Sequence, residues 1–272
     1  MTLQQLSSTV SSESSVCQTR IASRDAIVVD NGSLRLTVIP ELGGKIVSLI
    51  RNESGYEYLL QPPDPQRAYR PCNYADRFEE YEASGFDECL PTVAACSYPE
   101  EPFSPQSRLP DHGDVWCSSS SVEIVGKQVT LTTSIRSLPL RFTKKCQLQE
   151  KVVRLDYEVT NLSQSNVKFL WSAHPLLRVE PDAEIILPQE VKEVEVNWSK
   201  DERLGKSGER CTWPIATECS GRTVELNRIV SPTVLRLRSY SRLPSAKAFV
   251  ECSCLAKMKA SFSVSIPGWF HM

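Results

Sequence analysis

Two of the three histidines in this 272-residue chain sit in settings suited to proton transfer. His112 lies in Leu109-Pro110-Asp111-His112-Gly113-Asp114-Val115-Trp116, and His174 in Leu170-Trp171-Ser172-Ala173-His174-Pro175, at the end of an apolar, strand-like run. Imidazole is the side chain whose charge changes most readily near neutral pH, so two of them flanked by Gly, Pro and Trp point to acid–base chemistry. A carboxylate joins them late in the chain. Ala248-Phe249-Val250-Glu251-Cys252 puts Glu251 at the end of an apolar strand, where a solvated Glu is not expected. Taken singly, each has a plain structural role open to it. His174 can bond a neighbouring carbonyl, His112 can pair with Asp111 or Asp114, and Glu251 can stand on a surface.

Other chemistries lack their residues. The phosphate-binding patterns GxGxxG and GxxxxGK[ST] and the GxSxG elbow do not occur. Ten cysteines are dispersed along the chain, and Cys252-Ser253-Cys254 has one intervening residue rather than the two of a zinc site. No metal site is expected. Lys and Arg number 31 against 33 Asp and Glu, a net charge of −2 with no long block of either sign, so no nucleic acid or anionic membrane is expected as a partner. The opening residues lack the basic start and apolar core of a secretory signal. A cytoplasmic protein with reduced thiols is the expectation, its oligomeric state left open.

The elements that must position these groups are strands. Leu34, Leu36 and Val38 alternate with Arg35 and Thr37, and Pro40-Glu41-Leu42-Gly43-Gly44 breaks the run before Lys45 to Ile50 resumes it. Val129, Leu131, Thr133 and Ile135 alternate likewise, and Val153, Leu155, Tyr157 and Val159 do so most clearly. After a turn at Asn161 to Asn166, Val167 to Ala173 is expected to pair with that last strand. Further strands are expected at Ala183–Leu187, Val191–Trp198, Arg222–Val230, Thr233–Tyr240 and Ala246–Glu251, and a short helical turn at Asp76 to Tyr81. Many short strands without βαβ alternation predict an all-β sandwich or barrel of antiparallel sheets. Residues 1–20 are expected to form a flexible tail and 21–272 a single domain.

With these pieces in order, the chain resembles the aldose 1-epimerase (galactose mutarotase) superfamily, in particular its bacterial aldose-epimerase-like branch. The resemblance runs from about Leu34 to Glu251. It is carried by Pro40-Glu41-Leu42-Gly43-Gly44-Lys45-Ile46, Gly85-Phe86-Asp87-Glu88-Cys89-Leu90-Pro91-Thr92, Asp111-His112-Gly113-Asp114-Val115-Trp116, Trp171-Ser172-Ala173-His174-Pro175 and Val250-Glu251-Cys252. It implies a large antiparallel β-supersandwich, galactose mutarotase-like, with a small-molecule sugar as substrate and no cofactor. By the same resemblance, Glu251 is the base, His174 the acid and His112 a hydrogen-bond partner for the ring oxygen. Asp87, Glu88, Trp116 and Arg77 are expected to line the sugar site, with Arg70 a further basic candidate. Interconversion of α and β anomers is the implied reaction. A hexose-6-phosphate 1-epimerase, a non-catalytic carbohydrate-binding sandwich and, more remotely, a glycoside hydrolase remain alternatives. The closing segment is shorter than the resemblance suggests. Lys259 to Ile266 is expected to form a strand packed near that of Glu251.

Overall fold

A computed structural model of the chain describes residues 15–64, 68–81, 83–103, 108–180, 183–228, 240–242, 250–252 and 257–265, with 197–198 and those beyond 228 described by backbone alone. Its residues gather into two compact units, 1–178 with 249–272, and 179–248. This differs from the single domain expected over 21–272. The described residues of 179–248 pair among themselves through short ladders, which is why they separate.

Two antiparallel sheets build the first unit. One is seven-stranded. Its path runs through β1 (Ser15–Ile21), β2 (Arg24–Asp30), β3 (Leu34–Ile39), β4 (Lys45–Arg51), β6 (Phe86–Cys89) and β14 (Ser172–Pro175), with β5 (Tyr56–Glu57) pairing β4 beside that path. The second has the order β21 (Lys257–Ser265), β12 (Val152–Asn161), β11 (Leu140–Gln149), β10 (Gln128–Ser134), β9 (Ser121–Val125). Smaller ladders join β7 (Cys96–Ser97) to β8 (Arg108–Leu109), and β13 (Val167–Phe169) to β20 (Val250–Cys252). Helix is confined, among the described residues, to single 3-10 turns such as Phe78–Glu80 and Val115–Cys117, and none is long and apolar enough to cross a membrane.

Alternation puts the core between the sheets. Leu140, Phe142, Lys144, Cys146 and Leu148 of β11 are buried, as are Val153, Leu155, Tyr157 and Val159 of β12. All but Lys144 cluster with Leu34, Leu36, Val38, Ile46 and Phe86 from the first sheet. Fully burying such a side chain stabilises the fold by roughly 1.5–3 kcal/mol, so the two-residue period fixes which face of each strand turns inward.

The second unit holds β15 (Glu193–Trp198), flanked by β16 (Arg210–Thr212) and β19 (Tyr240–Arg242), and a hairpin of β17 (Ile215–Thr217) with β18 (Thr223–Glu225). Val194, Val196 and Ala216 are its buried apolar residues among those described.

Several expectations need correction. Residues 15–20 belong to β1, paired residue for residue with β2, rather than to the tail, and 1–14 lie outside the described residues. Val167–Phe169 pairs with β20, while β12 is flanked by β11 and β21. The Asn161 amide holds the following turn through Ser163 and Ser165, which carries the chain out of β12's plane of pairing. Of the strand expected at Ala183–Leu187, an isolated Glu184–Arg228 bridge is what forms among the described residues. That at Arg222–Val230 shortens to β18, and most of Thr233–Tyr240 lies outside the described residues. The closing strand exists as β21, and among the described residues it pairs with β12, whereas β20, the strand of Glu251, pairs with β13.

Candidate active site

The row of residues across β4, β6 and β14 decides what faces the site. Ile46 pairs with Phe86, so in that antiparallel register Lys45 stands beside Asp87. Asp87 in turn pairs with His174. Directly paired residues share a face, with Cβ atoms about 4.5–5.5 Å apart, so Lys45, Asp87 and His174 form one row. Lys45 Nζ donates to Asp87 Oδ2 at 2.7 Å, both side chains buried. Gly85 allows this close approach: a Cβ there would meet the Ile46 carbonyl oxygen at 2.7 Å.

The next residue on β6 turns the other way. Glu88 is 1% exposed and accepts from Lys144 Nζ at 2.8 and 2.9 Å, and from the Tyr157 hydroxyl at 3.0 Å. Burial pushes its carboxyl upward, opposed by the Lys144 ammonium and the Tyr157 bond. Glu88 is therefore a core residue, correcting its expected place in the sugar site. Strand parity alone separates it from Asp87.

His112 arrives from a loop. Asp114, fully buried, accepts from the backbone N–H groups of Arg136 and Ser137, each at 2.7 Å, and from the Ser137 hydroxyl at 2.9 Å. That ties the His112 loop to the turn after β10. Burial raises the Asp114 carboxyl, opposed by these donors. Asp114 N–H also donates to Leu90 O at 2.8 Å, so Gly113 runs against Leu90, where a Cβ would come within 2.1 Å of its carbonyl oxygen. His112 itself has φ +58°, a region a non-glycine residue occupies at a cost and one that clusters at functional sites. Its Nδ1 lies 2.9 Å from Asp111 Oδ2. A carboxylate only accepts, so Nδ1 carries the hydrogen and Nε2 remains for another partner.

The two imidazoles meet edge to face, ring centroids 5.4 Å apart. Phe78, from the 3-10 turn, stacks on His112 at 4.1 Å and presents to His174 and Trp116 at 5.5 and 5.2 Å. Burial is the main force holding the His174 imidazole below its ordinary value of 6.5; His112 and Lys45 push the same way and Asp87 opposes them. His174 Nδ1 and Trp116 Nε1 are buried without hydrogen-bond partners among the described residues.

A shallow, small cleft adjoins Phe78 of this cluster, lined by Lys45, Arg70, Phe78, Tyr81, Asp87 and Trp116 among others. Phe78 is thus a wall shared by the cleft and both histidines. Arg70 reaches the Glu80 carbonyl at 2.7 Å and lies over the Tyr81 ring. The bond from the Tyr81 hydroxyl to Asp76 pushes that phenol up to about 12. Arg77, expected beside them, instead stands 68% exposed and pairs with Glu79 and Glu80 on its own turn. Glu251 lies on β20 opposite Lys168; its side chain is outside the described residues. No group of three or more His, Cys, Asp or Glu suited to a metal ion occurs among the described residues.

Lys45, Phe78 and Tyr81 were not singled out from the sequence. Lys45 had a signal, because it follows Gly43-Gly44 within a piece that carries the resemblance. Phe78 and Tyr81 had little beyond their place in the predicted helical turn.

No protein-family model and no curated protein matches the chain. Among solved structures it is similar to a galactose mutarotase related enzyme from Lactobacillus acidophilus, at 13% identity and TM-score 0.55, over 87% of this chain and 95% of that one. A protein of Synechocystis sp. PCC 6803 aligns at 14% identity and TM-score 0.54, over 92% and 94%. A galactose mutarotase-like protein from Clostridium acetobutylicum aligns at 13% identity and TM-score 0.48, covering 75% of this chain, which spans 65% of that protein's length. The strand order, the core between two antiparallel sheets and the two likenesses with TM-scores above 0.5 together identify the fold as the galactose mutarotase-like β-supersandwich.

Proposed function

We propose that the protein is an aldose 1-epimerase-like enzyme that interconverts the α and β anomers of an aldose by opening and reclosing the ring. The observation that carries this reading is the pair of imidazoles, distant in sequence, whose rings lie 5.4 Å apart and both pack on Phe78, a wall of the cleft. Ring opening requires a base for the anomeric hydroxyl proton and an acid for the ring oxygen. In this reading Glu251 is the base and His174 the acid, and the opened aldehyde turns about its C1–C2 bond before the roles reverse. His112, its Nδ1 held by Asp111, offers Nε2 to the ring oxygen and its neighbours. Trp116 supplies an apolar face for the sugar, and Asp87 and Lys45 bind hydroxyls from the cleft wall. The chemistry is proton transfer and calls for no metal ion or organic cofactor.

The acid works in its protonated form. Because burial holds His174 below 6.5, turnover should fall as pH rises through a value under the ordinary histidine range. The direct test is saturation-exchange NMR between α and β anomers, over a panel of free and 6-phosphorylated aldoses without added metal or nucleotide. Acceleration of exchange for at least one sugar is expected. Measurable sugar binding with no acceleration for any of them would assign a carbohydrate-binding module instead.

A further inference from the structure

We propose that Lys45 is a positioning residue for His174, acting through Asp87, so that Lys45, Asp87 and His174 work as one charge row across β4, β6 and β14. The inference rests on His174 being the proton donor. Three observations carry it. The strand registers put the three side chains side by side on one face. Lys45 and Asp87 form a buried ion pair at 2.7 Å, so both charges act through little water. The pair also borders the cleft, where Lys45 Nζ has one acceptor among the described residues.

The arrangement has a specific consequence. A lone carboxylate beside a histidine would hold the imidazolium and make it a poor donor. An ammonium placed on the far side of that carboxylate cancels most of its field, while Asp87 keeps Lys45 from repelling the imidazolium outright. The His174 proton is then held, but loosely. Among the described residues, the titratable groups facing His174 are His112 from its loop, Asp87 from β6 and Lys45 from β4, with the uncharged Phe78 edge beside them.

The test is an NMR titration of the His174 ring in the full-length protein and in Lys45→Met, Asp87→Asn and Lys45→Arg. Lys45→Met frees the carboxylate, so the His174 midpoint should rise by about one pH unit. Asp87→Asn leaves the ammonium alone and should lower it. Lys45→Arg should hold it near the wild-type value. The declining limb of the pH–rate profile should move with each midpoint. Midpoints that do not move, or that move the same way in Lys45→Met and Asp87→Asn, overturn the proposal. If Lys45→Met does not fold, Asp87→Asn decides alone: an unshifted or raised midpoint rejects the row. Opposite shifts in a protein that exchanges no anomers would leave the charge row standing and reject the enzymatic reading.

Discussion

Two lysine–carboxylate pairs stand back to back on β6, and they differ in how completely they are closed. Lys144 is wholly buried and its ammonium has three acceptors, the two Glu88 oxygens and the Gly44 carbonyl at 2.7 Å, while Tyr157 adds a bond to Glu88. Every ammonium hydrogen is used. Lys45 has a single acceptor among the described residues, Asp87, and its pair borders a cleft and a histidine. Like charges at similar burial thus serve differently. A saturated pair between two sheets can only hold them together, whereas an unsaturated one at a cleft can still bind and still tune a neighbour.

The comparison is sharpened first by turnover. His174→Asn should lower the rate by roughly a hundredfold to ten-thousandfold while leaving most of the sugar affinity, as read by anomer exchange and titration of the sugar. Wild-type turnover would make the cleft row as purely structural as the core pair. Stability should show the opposite ranking. Lys144→Met strands a buried carboxylate and should cost about 3–5 kcal/mol in urea unfolding. Lys45→Met removes the side chain that shields Asp87 from the cleft, so water can enter and reach the carboxylate, and it should cost less, about 1–3 kcal/mol. Equal losses would erase the distinction between the pairs.

Gly113→Ala should fall below Lys144→Met and near Lys45→Met. Its new Cβ would meet Leu90 O at 2.1 Å, in a residue at φ +72°, so a loss of roughly 1–3 kcal/mol is expected, with weaker sugar binding because His112 moves with it. A variant as stable as wild type would show that the loop gives way freely.

The smallest effect is a slope. The folded His174 binds its proton less readily than the unfolded chain does. Its contribution is therefore complete above 6.5 and is lost as pH falls through that value toward the folded one, by at most about 1.4 kcal/mol per pH unit. His174→Asn should remove that slope from stability measured between pH 7 and 5. An unchanged slope would assign it to other groups.

Much of this was legible because it depends on local pattern. The alternation at Leu34, Leu36 and Val38, and at Val153 to Val159, is the direct imprint of a half-buried strand. The rarity of histidine, with Gly113 and Pro175 beside it, marked the two imidazoles that the structure brings into contact. What was not legible depends on register. Asp87 and Glu88 are adjacent and chemically alike, and only the pairing of β6 with β4 and β14 says which faces the cleft. Lys45 reads as one more polar position in an alternating run until Asp87, far along the chain, is set beside it. Lys144 occupies an inward position of β11 where the pattern asks for an apolar residue, a local conflict that its partner Glu88 resolves. Arg77 was expected at the site from its residue type, but its carboxylate partners lie two and three residues away and hold it on its own turn.

The late strands also set the order in which the molecule can be completed during synthesis. β12 acquires its second neighbour only when β21 has left the ribosome, since Val152 pairs with Ser265 and Thr160 with Lys257. β13 likewise waits for β20, where Glu251 lies opposite Lys168. Ladders between segments this far apart close slowly, on the order of milliseconds to seconds, and until then β12 presents an open edge to any other strand. The intervening residues 179–248 have ladders of their own, so by folding first they would shorten the loop to be closed. A nascent chain would therefore bring its two imidazoles out well before the segment carrying Glu251. On the proposed reading, the strand that completes the site joins after both imidazoles are in place.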